Sequence, residues 1–134
     1  MQTILKISEA AAIALHAADY LAQRTGLASA QDIARDLGVS YNHLSKVLQT
    51  LTKARLVAPV RGPKGGFALS PSGKKATVRD FMTAIDGPVK PHDCLMDAKV
   101  CRHSACMFGK FLHDTNKRFE AVLDGKISEF SKRK

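Results

Sequence analysis

The spacing of apolar residues in the first half of the chain predicts three helices. From Ser8 to Arg24, alanine, isoleucine and leucine dominate, and Ser8 has the side chain of a helix cap. A shorter helix is expected after Ser29, and a third after Ser40, where apolar residues recur at intervals of three and four. Gly38 lies between these two helices and can adopt the positive φ that a tight turn needs. Two short helices joined by a glycine-containing turn are typical of a helix-turn-helix, although an ordinary helical hairpin has the same pattern.

Residues 56–70 consist of two short apolar runs around a loop rich in glycine, proline and basic residues. This pattern predicts a β-hairpin with a glycine-rich tip, and a hairpin directly after a helix-turn-helix is a wing. Arg61 and Lys64 at the tip have few bulky neighbours, so they can approach a narrow groove. Pro71-Ser72-Gly73 is expected to close the segment, and a fourth helix is expected between Thr77 and Ile85.

The last third of the chain combines an irregular segment with a long amphipathic helix. No periodicity is evident from Gly87 to Ala105, after which apolar residues follow helical spacing from Phe108 to Val122. Such a terminal helix is expected to pair with a second copy of the chain; the alternative is that it folds back on its own core. The predicted fold is mainly α with a small β-hairpin, divided into residues 1–87 (winged helix-turn-helix), 88–106 (cysteine-bearing loop) and 107–134 (dimerisation helix and tail).

Basic residues are concentrated in one part of the chain. No acidic residue occurs between Asp36 and Asp80, whereas this interval contains eight Lys and Arg. The rest of the chain, with 13 basic and 12 acidic residues, is nearly balanced, so the net charge of +9 comes almost entirely from this block. A basic excess confined to one module is typical of a surface that binds a polyanion, because phosphate binding releases condensed counterions. A solvated charged face is the alternative.

Composition excludes several classes of protein. With 134 residues, 45% of them hydrophobic and 25% charged, the chain is expected to be one globular domain. No apolar run approaches the roughly 20 residues of a membrane span, and the N-terminus lacks the pattern of a signal peptide, so a cytoplasmic protein is expected. No nucleotide-binding fingerprint occurs, and an enzyme is not predicted.

Three cysteines lie within the irregular segment. Cys94, Cys101 and Cys106 have the spacing C-x6-C-x4-C, which contains no C-x2-C pair and is not a zinc-knuckle spacing. Three soft ligands on one loop suit an iron–sulfur cluster, which tolerates variable spacing. Zinc binding, thiol redox switching and plain burial remain alternatives. A small thiol redox enzyme is the least favoured interpretation, because no second cysteine stands at the spacing of a resolving partner.

Taken together, these segments resemble the IscR/NsrR family of winged-helix regulators. The resemblance rests on Val39-Ser40-Tyr41-Asn42-His43-Leu44 followed by Lys46, on the wing Val60-Arg61-Gly62-Pro63-Lys64-Gly65-Gly66, and on the cysteine loop before a long helix. It covers nearly the whole chain and is closest to the nitric-oxide-sensing NsrR branch. The family implies a homodimer that binds double-stranded DNA at a pseudo-palindromic operator, as a repressor or activator, under the control of a [2Fe-2S] or [4Fe-4S] cluster that senses nitric oxide, redox state or iron–sulfur status.

The resemblance also implies where the fourth cluster ligand lies. Gly109 occupies the position at which the IscR type has a histidine, so that ligand is absent. In the NsrR type, the fourth ligand is a carboxylate near the N-terminus of the partner subunit. The stretch Lys6-Ile7-Ser8-Glu9 is similar to the segment that carries it, so Glu9 is the candidate ligand. The alternative is that Glu9 only stabilises its own helix, as an acidic residue in the first turn does. Further candidates are His16, His92 and His103.

The predicted DNA contacts follow from the helix-turn-helix and the wing. The start of the recognition helix is expected to face base edges in the major groove, although Tyr41 could pack inward and His43 could be a neutral surface residue. Arg61 is expected to enter the minor groove, and Lys53, Lys64, Lys74 and Lys75 to contact phosphate. The predicted DNA-binding residues are Ser40, Tyr41, Asn42, His43, Ser45, Lys46, Gln49, Lys53, Arg61, Gly62, Lys64, Gly65 and Gly66.

Overall fold

The computed structural model describes residues 7–90 and 106–131. Within them the elements follow in the order α1 (Glu9–Ala22), α2 (Ala30–Leu37), α3 (Tyr41–Lys53), β1 (Val57–Val60), β2 (Gly66–Leu69), α4 (Pro71–Lys75), α5 (Val78–Asp86), α6 (Gly109–Leu123) and α7 (Ile127–Ser131). This is the predicted mainly helical fold with one β-hairpin. The predicted irregular connection between α5 and α6 falls mostly on residues 91–105, outside the described residues.

Hydroxyl side chains begin the first three helices, as predicted. The Oγ atoms of Ser8, Ser29 and Ser40 accept hydrogen bonds from backbone N–H groups three residues later, at 3.0, 3.1 and 3.2 Å. Each bond satisfies one of the amide donors that a helix leaves unpaired at its start. Gly38 ends α2 with φ 69°, a left-handed conformation that costs glycine little. The turn between α2 and α3 therefore has the predicted helix-turn-helix form.

Helix α4 was not predicted, whereas α7 agrees with the short final helix that Ile127 and Phe130 predict. Pro71-Ser72-Gly73 does not simply close the wing but opens α4, which Ser70 caps by accepting a hydrogen bond from the N–H of Gly73 at 2.9 Å. Proline suits the first turn of a helix because its φ is already helical and its missing N–H would have no partner there. The following helix, α5, begins at Thr77 with a reciprocal capping box to Asp80.

The core is built around α1. Ala11, Ala14, Ala17 and Ala18 are fully buried, and their small side chains let α3, α5 and α7 pack closely on this helix. Large buried side chains fill the space between the helices: Ile33, Leu44, Leu48, Leu51 and Phe81. Interior side chains of this kind contribute about 1.5–3 kcal/mol each through removal from water.

The wing is tied to the segment that precedes α2. Strands β1 and β2 are antiparallel, with Val57 opposite Leu69 and Val60 opposite Gly66. Ala28 adds a third backbone position to this sheet, because it exchanges two hydrogen bonds with Phe67, at 3.1 and 2.7 Å. The angle between the wing and the helix-turn-helix is therefore set by backbone hydrogen bonds.

The C-terminal helices join the winged part at one end only. Leu123 is the one residue of α6 that is buried, and Ile127 of α7 lies in the same core. The N–H of Val78 donates to the carbonyl of Gly125 at 2.9 Å, and Arg79 donates from two nitrogens to Asp124 at 3.1 and 3.2 Å. The C-terminal end of α6 and helix α7 therefore pack on the core, which agrees with the alternative that the terminal helix folds back on its own chain. The start of α6 does not pack on the core. No helix among the described residues is long and apolar enough to cross a membrane.

Candidate nucleic-acid interface and cysteine site

Helix α3 presents a polar face to solvent and an apolar face to the core. Its buried residues are Leu44, Val47, Leu48 and Leu51. Its exposed residues are Tyr41, Asn42, Lys46, Gln49 and Lys53. Tyr41 is 47% exposed, so it does not pack inward. Because the buried face fixes the rotation of the helix, five of the side chains predicted to contact DNA are accessible together.

Two other predicted contacts on α3 are placed differently. His43 is half-buried, and its backbone N–H is bound by the cap Ser40. The Oγ of Ser45 is buried and has no hydrogen-bond partner among the described residues. The hydroxyl of Ser45 is therefore not presented on the exposed face of α3, because this residue lies at the edge where the helix meets the core.

The wing tip is open and basic. Arg61, Gly62 and Lys64 are exposed, and the tip is closed by a hydrogen bond from the N–H of Gly65 to the carbonyl of Gly62 at 2.9 Å. In the described part of the chain no acidic side chain pairs with Arg61 or Lys64. Their charges are therefore available to an anion.

Gly66 marks a close backbone approach behind the tip. A Cβ atom at this position would lie 2.6 Å from the carbonyl oxygen of Ala28, a distance that real Cβ atoms essentially never show. Sequence reasoning included Gly66 in the wing motif but missed Ala28 and Phe67, which hold the wing in place. No local pattern indicates this pairing, because Ala28 is nearly 40 residues away from its partner along the chain.

The remaining basic residues of the block lie away from the tip. Lys74 and Lys75 are exposed at the end of α4, which follows the base of the hairpin, and Lys53 is the last residue of α3. The strand register places Val57 and Leu69 at this base and Val60 and Gly66 near the tip. The structure therefore does not bring Lys74 and Lys75 together with Arg61 and Lys64.

An exposed network of side chains connects α1 and α2. The Tyr20 hydroxyl donates to Asp36 at 2.6 Å, and Arg24 lies 3.6 Å from the same carboxylate and 4.2 Å from the centre of the Tyr20 ring. The bond from Tyr20 lowers the pKa of Asp36 below its ordinary value, with Arg35 adding to the effect. The same bond raises the pKa of Tyr20. Sequence reasoning missed this network, which holds the two helices together outside the core.

The structure describes one of the three predicted cysteine ligands. Cys106 is exposed just before α6, and its Sγ accepts a hydrogen bond from the N–H of Phe108 at 3.4 Å. Cys94 and Cys101 lie outside the described residues, as do His92 and His103. Among the described residues no three histidine, cysteine or acidic side chains are grouped as metal ligands.

Glu9 lies at the exposed start of α1, next to the end of α5. The neighbouring Ser8 donates from its hydroxyl to Asp86 at 2.6 Å, and Asp86 is the last residue of α5, from which the cysteine-bearing segment continues. His16 is exposed two turns further along α1. An exposed carboxylate and an exposed thiol with an amide donor are chemically suited to an iron–sulfur cluster, whose sulfur ligands commonly accept N–H hydrogen bonds.

Comparison with known proteins agrees with this architecture. The sequence profile of the family described as "Rrf2: Iron-dependent Transcriptional regulator" matches residues 7–127. The transcriptional regulator IscR of Photobacterium profundum is 30% identical over 112 residues, 84% of this chain and 62% of that protein. The transcriptional repressor NsrR of Streptomyces coelicolor is 29% identical over 94 residues, 70% of this chain and 64% of that protein. The two identities are nearly equal, so they do not favour one branch.

A solved structure has the same fold. The structure of CymR, described as the global cysteine regulator of Bacillus subtilis, superposes with a TM-score of 0.79 at 22% identity and covers 98% of this chain and 99% of that one. The chain spans less than two thirds of the length of the IscR and NsrR relatives. These relatives are transcription regulators and not enzymes. Since the profile match covers nearly all of the sequence, the chain belongs to the Rrf2 family of transcription regulators.

Proposed function

We propose that this protein binds duplex DNA as a homodimer and regulates transcription from a pseudo-palindromic operator. The observation that carries the proposal is that the polar face of α3 and the basic wing tip are both exposed, in a stretch of chain without a single acidic residue. A recognition helix of this kind lies in the major groove, and an arginine on the wing can enter the narrow minor groove, where the negative potential is strongest.

The exposed side chains divide into two roles. Asn42, Lys46 and Gln49 stand on the face of α3 that would meet base edges, with Tyr41 at the start of the helix. Ser40, Lys53 and Lys64 are proposed to contact phosphates, and such contacts position the protein without reading sequence. Lys74 and Lys75 lie further back, so their share in phosphate binding is expected to be smaller.

The proposed dimer uses an exposed apolar face of α6. Phe108, Phe111 and Val122 are 43%, 56% and 50% exposed, which is unusual for large apolar residues at helical spacing. Pairing of this face with a second copy would remove it from water and present two recognition helices at once. Half-sites about 34–36 Å apart would then be contacted on one side of the duplex.

The cysteine segment is the proposed sensor. Cys94, Cys101 and Cys106, with Glu9 of the partner subunit as a fourth ligand, would hold an iron–sulfur cluster that responds to nitric oxide, redox state or iron–sulfur status. Soft thiolates suit such a cluster, and the exposure of Cys106 would leave it open to small molecules. This segment leads into α6, so a change at the cysteines would act on the helix proposed to join the two subunits.

The DNA-binding proposal is tested by replacing Arg61→Ala. Operator affinity is expected to fall by about tenfold or more, and the dependence of affinity on salt should become less steep by about one counterion. Gel-shift titrations over a series of salt concentrations measure both effects. Lys117→Ala, which removes an exposed charge from α6, is the control and should leave both unchanged. An Arg61→Ala variant with wild-type affinity and salt dependence would contradict the assignment of the wing.

The sensor proposal is tested by iron, sulfide and zinc analysis of protein purified without oxygen. Iron and acid-labile sulfide in comparable amounts, lost in Cys101→Ser, are the expected result. Zinc without sulfide would assign the cysteines to a zinc site. Metal-free protein that forms a disulfide with oxidants would make them a direct thiol sensor. DNA binding would stand in all three cases.

A further inference from the structure

The exposed polar side chains of α3 form a narrow stripe. Asn42, Lys46 and Gln49 occupy positions i, i+4 and i+7 and are all exposed. With 3.6 residues per turn, side chains at this spacing lie above one another on one face. The opposite face is buried in the core, so α3 cannot rotate to present other residues.

The neighbouring polar groups on α3 are not available in the same way. The Oγ of Ser45 is buried, because this residue lies beside the stripe at the edge where α3 meets the core. The hydroxyl of Thr50 donates to the carbonyl of Lys46 at 3.1 Å. In the described part of the chain, the side chains of the stripe make no hydrogen bond or ion pair. Three functional groups therefore remain free to recognise a ligand: an amide, an ammonium and a second amide.

The chemistry of the stripe suits base edges better than phosphates. A phosphate-binding surface gains affinity from cations, and apart from Lys46 the cations near α3 are Lys53 at its far end and the basic residues of the wing. Amide side chains carry no charge, but they can form two hydrogen bonds with the N6 and N7 atoms of adenine in the major groove. A lysine can bind O6 and N7 of guanine. The order of groups along α3 thus corresponds to an order of bases.

Helix geometry sets the spacing of these bases. With a rise of about 1.5 Å per residue, Lys46 lies about 6 Å and Gln49 about 10.5 Å along the helix axis from Asn42. Successive base pairs are about 3.4 Å apart. Because the groove runs obliquely to the DNA axis, a recognition helix meets successive bases about every three residues, or about 4.5 Å. The two distances therefore correspond to about one and about two base-pair steps.

We propose that α3 reads three base pairs of each half-site: adenine at Asn42, guanine about one step further at Lys46, and adenine about two steps further at Gln49. The inference rests on the proposed DNA binding and adds the identity and order of the bases. Asn42, Lys46 and Gln49 are then the specificity-determining residues, whereas Lys64 contributes equally to all sequences.

Selection of bound duplexes from a random library tests the assignment. The wild-type protein is expected to enrich adenine, guanine and adenine in this order and spacing. Lys46→Gln should change the preferred base at the central position from guanine to adenine, by about tenfold, and should leave the outer preferences unchanged. A new preference cannot result from poor folding. Gln31→Ala removes an exposed amide from α2 and, as the matched control, should leave every base preference as in the wild type.

The outcomes separate this inference from the proposed function. A wild-type protein that enriches no sequence would overturn the proposed sequence-specific DNA binding as well as the base assignment. A wild-type protein that enriches a site without this pattern would overturn the base assignment alone. So would a Lys46→Gln variant that keeps guanine at the central position, or one that loses affinity for all sequences equally, because Lys46 would then contact phosphate.

Discussion

At the scale of single residues, the helix caps and the Tyr20–Asp36 bond differ in how far apart their partners lie. Ser8, Ser29 and Ser40 bind amides three residues away, so their roles can be predicted from sequence. Tyr20 and Asp36 are 16 residues apart on different helices, and their 2.6 Å hydrogen bond depends on how α1 and α2 pack. Local chemistry predicts the first kind of contact and cannot predict the second.

The Tyr20–Asp36 bond should make stability depend on pH in the acid range. Because the bond lowers the pKa of Asp36 below its ordinary value of 3.8, its stabilising effect is present above about pH 4 and is lost as the pH falls through the lowered pKa. Tyr20→Phe should therefore melt at a lower temperature than the wild type at pH 7, and the difference should disappear as the pH falls through the lowered pKa of Asp36. Thermal melts followed by circular dichroism at several pH values measure this.

Tyr41→Phe is the matched control for that comparison. The hydroxyl of Tyr41 has no hydrogen-bond partner among the described residues, so its removal should not change the melting temperature at either pH. A difference between Tyr20→Phe and wild type that persisted unchanged at low pH would mean that the charge of Asp36 is not involved.

At the scale of secondary-structure elements, the existence of the wing could be predicted, but its attachment could not. Alternating apolar runs around a glycine-rich tip predict β1 and β2 from local residues. The hydrogen bonds between Ala28 and Phe67 join the wing to a distant connector, and only the packing of α1 against β2 brings these segments together. Pro71-Ser72-Gly73 was predicted only to end the wing, although it begins α4. The sequence does not distinguish the two, because proline is common both in turns and at the start of a helix.

Gly66→Ala should loosen this attachment. The added methyl group would meet the backbone of Ala28, which cannot move aside as a flexible side chain would. We expect a loss of about 1–3 kcal/mol in the free energy of unfolding, measured by urea titration, together with weaker operator binding because the wing is displaced. Gly26→Ala is the matched control, since a methyl group there would have no neighbour within 4 Å. Equal stability of the two variants would show that the wing adjusts without strain.

At the scale of the whole molecule, α6 is held at its C-terminal end and free at its start. Leu123, together with the bond between Arg79 and Asp124, docks one end on the winged part. The other end begins at the exposed Cys106 and carries exposed aromatic residues. A helix of 15 residues is about 22 Å long, so a small movement near the cysteines would change the relation between the two subunits of the proposed dimer.

Phe111→Asp should separate the proposed dimer. A charge in the middle of the apolar stripe would have to be desolvated on pairing, which costs several kcal/mol. Sedimentation velocity should show a monomer, and operator affinity should fall because only one half-site is contacted at a time. His113→Asp places the same charge on another exposed side of α6 and should remain dimeric. A dimeric Phe111→Asp variant would show that α6 does not form the interface.

Residues that are close together in the chain were enough to predict the wing, the basic block, the family resemblance and every described helix except α4, because each of these depends on local sequence. The tertiary structure decided which side chains of α3 are exposed, that the hydroxyl of Ser45 is not, and that Lys74 and Lys75 lie apart from the wing tip. It also decided which end of α6 docks on the core. These features follow from packing between distant segments, since burial of one face of an element fixes which residues its other face offers to a partner.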